Sequence, residues 1–211
     1  MSENKAKNSS VVKDALILFA ITLIAAFLLA IVNEITKGPI EEAEKQVKAE
    51  AYNAVFEGVE EIKLMEDDII SALEGFDEVL SQNGLSGVAI NEAGKAYDSE
   101  KNVAGYVITV TSPNGYGGDI SLAMGITTEG KITCISFVTL NETASLGMEA
   151  DKPEFKDQFK DREAAELTVT KSETPADNEI TAISSATITS KAVTEAVNAG
   201  ILFVRERLIG K

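Results

Sequence analysis

Ala15 to Val32 is a run of eighteen residues without a charge, and Thr22 is its one polar side chain. As a helix it spans about 27 Å, close to the hydrocarbon thickness of a bilayer. Backbone groups find no water inside lipid, so a crossing segment of this kind has to be helical. A cleaved signal peptide has a shorter apolar core that ends at a small-x-small site. Here the apolar run continues past Ala25, Ala26 and Ala30 to Val32. The chain is therefore read as one uncleaved anchor followed by one domain of ordinary size.

Lys5, Lys7 and Lys13 precede the span, while Lys37, Lys45 and Lys48 follow it among Glu34, Glu41, Glu42 and Glu44. Acidic residues count little in membrane orientation, and a short N-terminal tail usually stays inside. The expected arrangement is a cytoplasmic tail (1–14), a transmembrane anchor (15–36) and an extracytoplasmic remainder, single-pass in the cell (inner) membrane.

Residues 33–211 hold 32 acidic against 16 basic side chains. Such a surface repels a phosphate backbone, and a chain without Trp supplies little base stacking, which argues against nucleic acid as a partner. There is no histidine, which removes His-based triads and His metal or haem ligation. The single cysteine, Cys134, excludes an intrachain disulfide and a multi-cysteine metal or iron–sulfur site. Its strand-like neighbours make it a buried structural thiol. No Gly-x-Gly-x-x-Gly opens a helix after a strand, so no nicotinamide fingerprint is present.

Thr36, Lys37, Gly38 and Pro39 read as a break after the membrane helix, with Pro39 near the start of a new one. Ile40, Ala43, Val47, Ala51, Val55, Val59 and Ile62 then recur at helical spacing, which predicts an amphipathic juxtamembrane helix over 40–65. Residues 66–211 form the remaining domain. A short helix near 68–80 and a strand near 87–91 are expected, then strands over 103–111, 119–126 and 131–139. In the second of these, Ile120, Leu122, Met124 and Ile126 share one face. Short connections make these strands an antiparallel meander, half buried under helices. A short helix over 154–162, an edge strand at 168–170 and a polar loop over 171–178 follow. The last helix starts near 190 and aligns Val193, Val197, Ile201, Val204 and Leu208. Strands in one block with helices at both ends indicate an α+β fold.

The chemistry-bearing segment is Ser184-Ser185-Ala186-Thr187-Ile188-Thr189-Ser190. Thr189 or Ser190 suits the N-cap of the last helix. A helix start offers free N–H groups and a positive dipole end, so a phosphate beside Thr187 is physically favourable. Read without further information, such a segment is more often a plain helix cap than a phosphate site. Gly115-Tyr116-Gly117-Gly118 is either a flexible hairpin connection or a place where backbone approaches a ligand closely. Glu142, read alone, is a solvated loop carboxylate.

Together, the anchor, the acidic exported domain, the Gly-Tyr-Gly-Gly loop, Glu142-Thr143-Ala144-Ser145-Leu146-Gly147 and the Ser-x-Ala-Thr segment resemble the RnfG family. These are G subunits of Rnf complexes, related to the C subunit of the sodium-pumping NADH:quinone reductase. In that family an FMN is joined through its phosphate to a threonine, within a pattern close to Asp-x-x-Ser/Thr-Gly-Ala-Thr. Laid on this sequence, the pattern implies Thr187 as the attachment site, with Ser184, Ser185, Ala186 and Thr189 around it. Thr181 stands at the Asp position and Ser185 at the common Gly position. The second segment, usually close to Glu-Thr-Pro-Gly-Leu-Gly, carries Ala144 and Ser145 as departures. It implies Leu146, Gly147 and Met148 beside the isoalloxazine and Glu142 and Thr143 as polar contacts. Gly117 and Gly118 are implied cofactor neighbours.

The resemblance further implies an electron relay in a membrane complex that moves electrons between ferredoxin and NAD and transports Na⁺ or H⁺. Other Rnf subunits and a flavin transferase are the implied partners. No metal and no turnover nucleophile are expected, and Ser184 and Ser185 have no histidine base. The rival reading is a membrane-tethered sensor or assembly module without a cofactor.

Overall fold

A computed structural model describes residues 3–209; the side chains of residues 3–10, 66 and 67, and hence those of Lys5 and Lys7, lie outside the described residues. The chain divides into two units, residues 1–46 and 47–211.

The first unit is helical throughout its described length and belongs to α1, Glu3–Val55. α1 is long and apolar enough to cross a membrane, and none of its most apolar window is buried. Leu16, Phe19, Leu23, Phe27 and Leu29 are all exposed. Aqueous solvent would penalise such a surface heavily.

The expected break at Thr36–Pro39 does not occur, because α1 continues through Pro39. Proline removes one helical hydrogen bond. On its N-terminal side Thr36 back-bonds to the Val32 carbonyl at 2.9 Å, and on its other side lie good helix formers from Glu41 to Gln46. The expected 40–65 helix also ends early, at Val55. Gly58 takes a left-handed φ of 83°, a conformation that stops helices. Residues 61–64 then form a strand, so Val59 and Ile62 pack on the sheet instead of extending a helix face.

The second unit is built on a five-stranded antiparallel meander in chain order. Its strands are β1 (Glu61–Leu64), β2 (Ala89–Tyr97), β3 (Val103–Ser112), β4 (Ile120–Thr127) and β5 (Ile132–Leu140). Two short helices, α2 (Glu66–Leu73) and α3 (Phe76–Gln82), replace the one expected near 68–80. They are separated by Gly75, which has a φ of 70°. α4 (Pro153–Lys156) runs into a 3₁₀ turn at Asp157–Phe159. β6 (Thr168–Thr170) and β7 (Glu179–Thr181) pair in parallel as a separate small sheet, so β6 is not an edge of the meander. α5 (Thr187–Phe203) closes the fold and runs on into a π turn at Val204–Leu208.

The two faces of the meander are packed differently. Ile120, Leu122, Met124 and Ile126 are fully buried on one face, as their alternation predicts, in a core shared with Val193, Val197, Ile201 and Phe203 of α5. Burial of each such side chain is worth roughly 2 kcal/mol. The other face carries smaller residues, Ala96, Val107 and Ala123, against Ala51, Tyr52, Val55 and Phe56 from the end of α1 and the turn after it. There the Tyr52 hydroxyl lies 2.6 Å from Glu92 Oε2 and 2.9 Å from Thr109 Oγ1, and Lys48 Nζ donates to Glu92 Oε1 at 2.7 Å.

Burial on its own raises the Glu92 pKa, but the hydrogen bonds from Lys48 and Tyr52 outweigh it and hold the carboxyl below its ordinary value. A lowered carboxylate pKa stabilises the fold above the unfolded-state value, and that contribution is lost as pH falls through the folded-state value. Glu92→Gln is therefore expected to lower stability at neutral pH by about 1 kcal/mol, with solvent screening of a partly exposed pair included. It should also remove part of the acid dependence below about pH 4.5. Denaturant titration of the full chain in detergent at several pH values checks both; an unchanged acid profile would remove Glu92 as its source.

Candidate functional site

Strand register brings three loops to one end of the sheet. Ile120, which opens β4, pairs with Leu140, which closes β5. The β3–β4 hairpin loop therefore lies beside the segment that leaves β5. The N-terminus of α5 reaches the same end. Tyr116, Glu142, Thr143, Leu146, Gly147, Ser185, Ala186, Thr187, Ile188 and Thr189 line one cavity of about 440 Å³. Ligand pockets occupy roughly 300–1,000 Å³.

The hairpin loop is seated directly on the second segment. The Tyr116 N–H donates to Glu142 Oε1 at 2.8 Å. A Cβ on Gly117 would lie 2.0 Å from the Asn141 carbonyl oxygen, so only glycine permits this approach. Across the cavity floor, a Cβ on Gly147 would lie 2.6 Å from Glu142 Oε2 and 2.8 Å from Thr189 Oγ1. Glycine there leaves a carboxylate oxygen and a hydroxyl facing one small space. Glu142 Oε2 is buried and has no hydrogen-bond partner among the described residues. An orphaned buried acceptor of this kind lacks a donor, and the described residues do not supply one.

α5 begins at Thr187, not near 190, and Ala186 occupies the cap position with no side-chain cap bond. The expected N-cap role of Thr189 or Ser190 is thus replaced. Thr189 is buried at the cavity, and the Ser190 hydroxyl bonds backward to the preceding loop. The first-turn N–H groups, which every helix start presents without helical partners, receive no side-chain acceptor from the cap residue.

Of the residues expected at the site, Thr187, Ser185, Ala186, Thr189, Glu142, Thr143, Leu146 and Gly147 line this cavity. Gly117 and Gly118 do not. Gly117 packs on Asn141, and Gly118 turns the chain with a φ of 121°. Ser184 lines a neighbouring groove with Ser145, Glu149 and Gln158. Met148 is exposed one residue beyond the lining. Tyr116 and Ile188 also line the cavity, although within the Gly-Tyr-Gly-Gly loop and the hydroxyl-rich segment neither is an expected contact. The exposure of both (71% and 53%) is what marks them. Large exposed side chains on a domain with a well-filled core point to a surface that something covers.

Cys134 lies outside the cavity lining, half-buried on β5. Burial pushes its thiol up, in keeping with a structural role. Among the described residues no cluster of His, Cys, Asp or Glu is placed to hold a metal ion. Thr181, at the expected Asp position, is committed elsewhere: its hydroxyl donates to the Ser172 carbonyl at 3.0 Å, and its N–H donates to Gln158 Oε1 at 2.8 Å. A carboxylate could not make the first of these bonds.

A family model described as the RnfG N-terminal region matches residues 1–55, and one described as an FMN-binding domain matches residues 115–201. The chain is 36% identical over 195 residues to the G subunit of the Na⁺-translocating ferredoxin:NAD⁺ oxidoreductase complex of Acetobacterium woodii, covering 90% of each chain. This chain belongs to the RnfG family. It is also 39% identical over 145 residues to the G subunit of the proton-translocating ferredoxin:NAD⁺ oxidoreductase complex of Clostridium ljungdahlii, covering 63% of this chain and 77% of that one. Its RnfG relatives are thus subunits of ion-translocating oxidoreductases. The crystal structure of the C subunit of the Na⁺-translocating NADH-quinone reductase from Parabacteroides distasonis superposes with a TM-score of 0.52 at 18% identity, covering 72% of this chain and 79% of that one. That likeness is one of fold. It agrees with the α+β reading: a sheet with helices behind one long N-terminal helix.

The two serines that replace glycine in the RnfG patterns have a shared geometry. Ser145 has a φ of 59° and Ser185 a φ of 63°. Both lie in the left-handed region, where a Cβ costs about 1 kcal/mol. Glycine suits these positions because of the backbone conformation, and this chain keeps the conformation with serine. Ser145→Gly and Ser185→Gly are each expected to raise stability by about 1 kcal/mol. Thermal unfolding of the full chain in detergent checks this, and a loss of stability in both would show that the serine side chains hold the loops.

Proposed function

We propose that this protein is the electron-transfer subunit of a membrane-bound ion-translocating ferredoxin:NAD oxidoreductase complex, relaying electrons through an FMN joined by a phosphoester to Thr187 Oγ1. The observation that carries the reading is the single cavity in which Thr187 and the start of α5 meet Tyr116 and the Glu142–Gly147 segment. The residues fit the cofactor in three respects. The uncapped helix start suits a phosphate. Glu142 Oε2 lacks a donor, which ring or ribityl groups can supply. Tyr116, Leu146 and Ile188 offer exposed apolar surface to a flat ring system.

An FMN held here would supply two-electron uptake with one-electron release. The chain's own residues do the rest. Thr187 ties the cofactor down, and the first turn of α5 orients its phosphate. Leu146 and Ile188 would keep water from part of the bound cofactor, and Glu142 would accept one hydrogen bond from it. α1 anchors the protein, with residues 1–14 cytoplasmic and the FMN-binding domain outside. A covalent link has a physical purpose there, because a dissociated cofactor would be lost from the cell. Other Rnf subunits supply and receive the electrons, and a flavin transferase makes the bond.

Intact mass of protein from its native host tests the attachment. FMN joined with loss of water adds roughly 440 Da, and Thr187→Ala is expected to abolish that increment. An unmodified wild-type mass, with the transferase present, would favour the cofactor-free module instead.

Charge gives a second test. Residues 47–211 hold 28 acidic and 14 basic side chains. Such a field opposes the negative charge gained on reduction, and salt weakens it. The midpoint potential is expected to lie below that of free FMN and to rise with ionic strength. A potential clearly above free FMN in redox titration would remove this account.

A further inference from the structure

Ser190 is polar and fully buried, yet it neither lines the cavity nor caps the helix. Its hydroxyl joins the two ends of the loop ahead of Thr187. The Ile183 N–H donates to Ser190 Oγ at 2.9 Å, and Ser190 Oγ donates to the Ala186 carbonyl at 2.9 Å. Between these ends the chain makes a tight turn, closed by the Ala186 N–H on the Ile183 carbonyl at 3.0 Å, with Ser185 in the left-handed conformation inside it. Upstream, the Ala182 N–H is held by the Thr170 carbonyl at 2.8 Å. Downstream lies α5. One side-chain oxygen therefore pins the turn from which Thr187 emerges.

We infer that Ser190 is a positioning residue for the modification of Thr187. The inference rests on the reading of Thr187 as the attachment point. In that step the Thr187 Oγ1–phosphorus bond forms while the bond from phosphorus to the leaving group of an activated flavin diphosphate breaks. The hydroxyl proton passes to solvent or to the transferase. Displacement of a reacting oxygen by about 1 Å can cost roughly a hundredfold in rate. Ser185 stores strain in the turn, so the turn needs a restraint that keeps Thr187 in place. Ser190 supplies it from the buried side and leaves the cavity side open.

The neighbouring hydroxyl provides the control. Thr194 is also buried, and its Oγ1 donates to the Ser190 carbonyl at 2.9 Å, an equivalent bond one turn further on that does not touch the loop. Full-length protein made without transferase is purified in detergent and incubated with purified transferase and flavin nucleotide. The initial rate of attachment is read by intact mass, and amide hydrogen exchange is read over residues 183–187. Ser190→Ala is expected to slow attachment at least tenfold and to speed exchange of the Ile183 amide by a similar factor. Ser190→Thr, which keeps the hydroxyl, is expected to restore both, and Thr194→Val to leave both near wild type.

An attachment rate in Ser190→Ala equal to wild type overturns the inference. So does equal slowing by Thr194→Val, which would show a general loss of helix stability. No attachment in wild type, or attachment that persists in Thr187→Ala, overturns the Thr187 reading and this inference with it, whereas Thr187-dependent attachment with no effect at Ser190 overturns the inference alone.

Discussion

The packing of α5 across the meander is the contact on which the rest of the domain depends. Val193, Val197 and Ile201 enter the same core as Ile120, Leu122, Met124 and Ile126. Gly200 lets the helix come close, since a Cβ there would meet Met124 Sδ at 2.2 Å. Apolar burial on this scale fixes the helix along its length. Its first residue is thereby set at the sheet end where the β3–β4 hairpin and the β5 exit already lie. The cavity is a consequence of that seating, because its lining residues come from three loops that a differently placed helix would leave apart.

The opposite face has a separate function in the fold. Its small residues make a shallow surface, and Phe56 lies over Gly105 and Gly125, where added Cβ atoms would meet its ring. The Val55 carbonyl accepts from Thr133 Oγ1, and Lys48, Tyr52, Glu92 and Thr109 add a polar clamp beside it. The C-terminal end of α1 is thus built into the domain as one of its packed elements. One sheet holds a large-residue interface for α5 and a small-residue interface for α1, and alternation along each strand keeps them distinct.

The candidate site sits on loops, but those loops are restrained. Gly117 is pressed on Asn141, Glu142 holds the Tyr116 amide, and Ser190 pins the turn at 183–186. Departures from the family patterns follow the same logic. Ser145 and Ser185 keep a left-handed backbone that glycine would adopt freely, and Thr181 uses its hydroxyl where an aspartate would have to make a different contact. Each changes a side chain while the path of the backbone is retained.

Local periodicity made much of this legible in advance. Eighteen uncharged residues announce the membrane-length helix, alternation from Ile120 to Ile126 sets the buried face of β4, and the spacing from Val193 to Val204 sets that of α5. Short connections order the central strands. The hydroxyl-rich segment at the start of α5 and the two loop motifs supply residues that line the candidate cavity. Tertiary structure alone decided the rest. α1 runs through Pro39 because flanking helix formers outweigh one lost bond, and it gives way before Gly58 because the sheet recruits the residues beyond. Tyr116, not Gly117 or Gly118, lines the cavity, because Gly117 is pressed on Asn141 and Gly118 turns the chain. Ser190 turns inward, because the carbonyl and amide it joins lie within reach only once the loop has folded back. Side-chain period is a property of consecutive residues and can be read from them. Which backbone groups meet across a loop depends on how distant segments approach, and no local pattern encodes that distance.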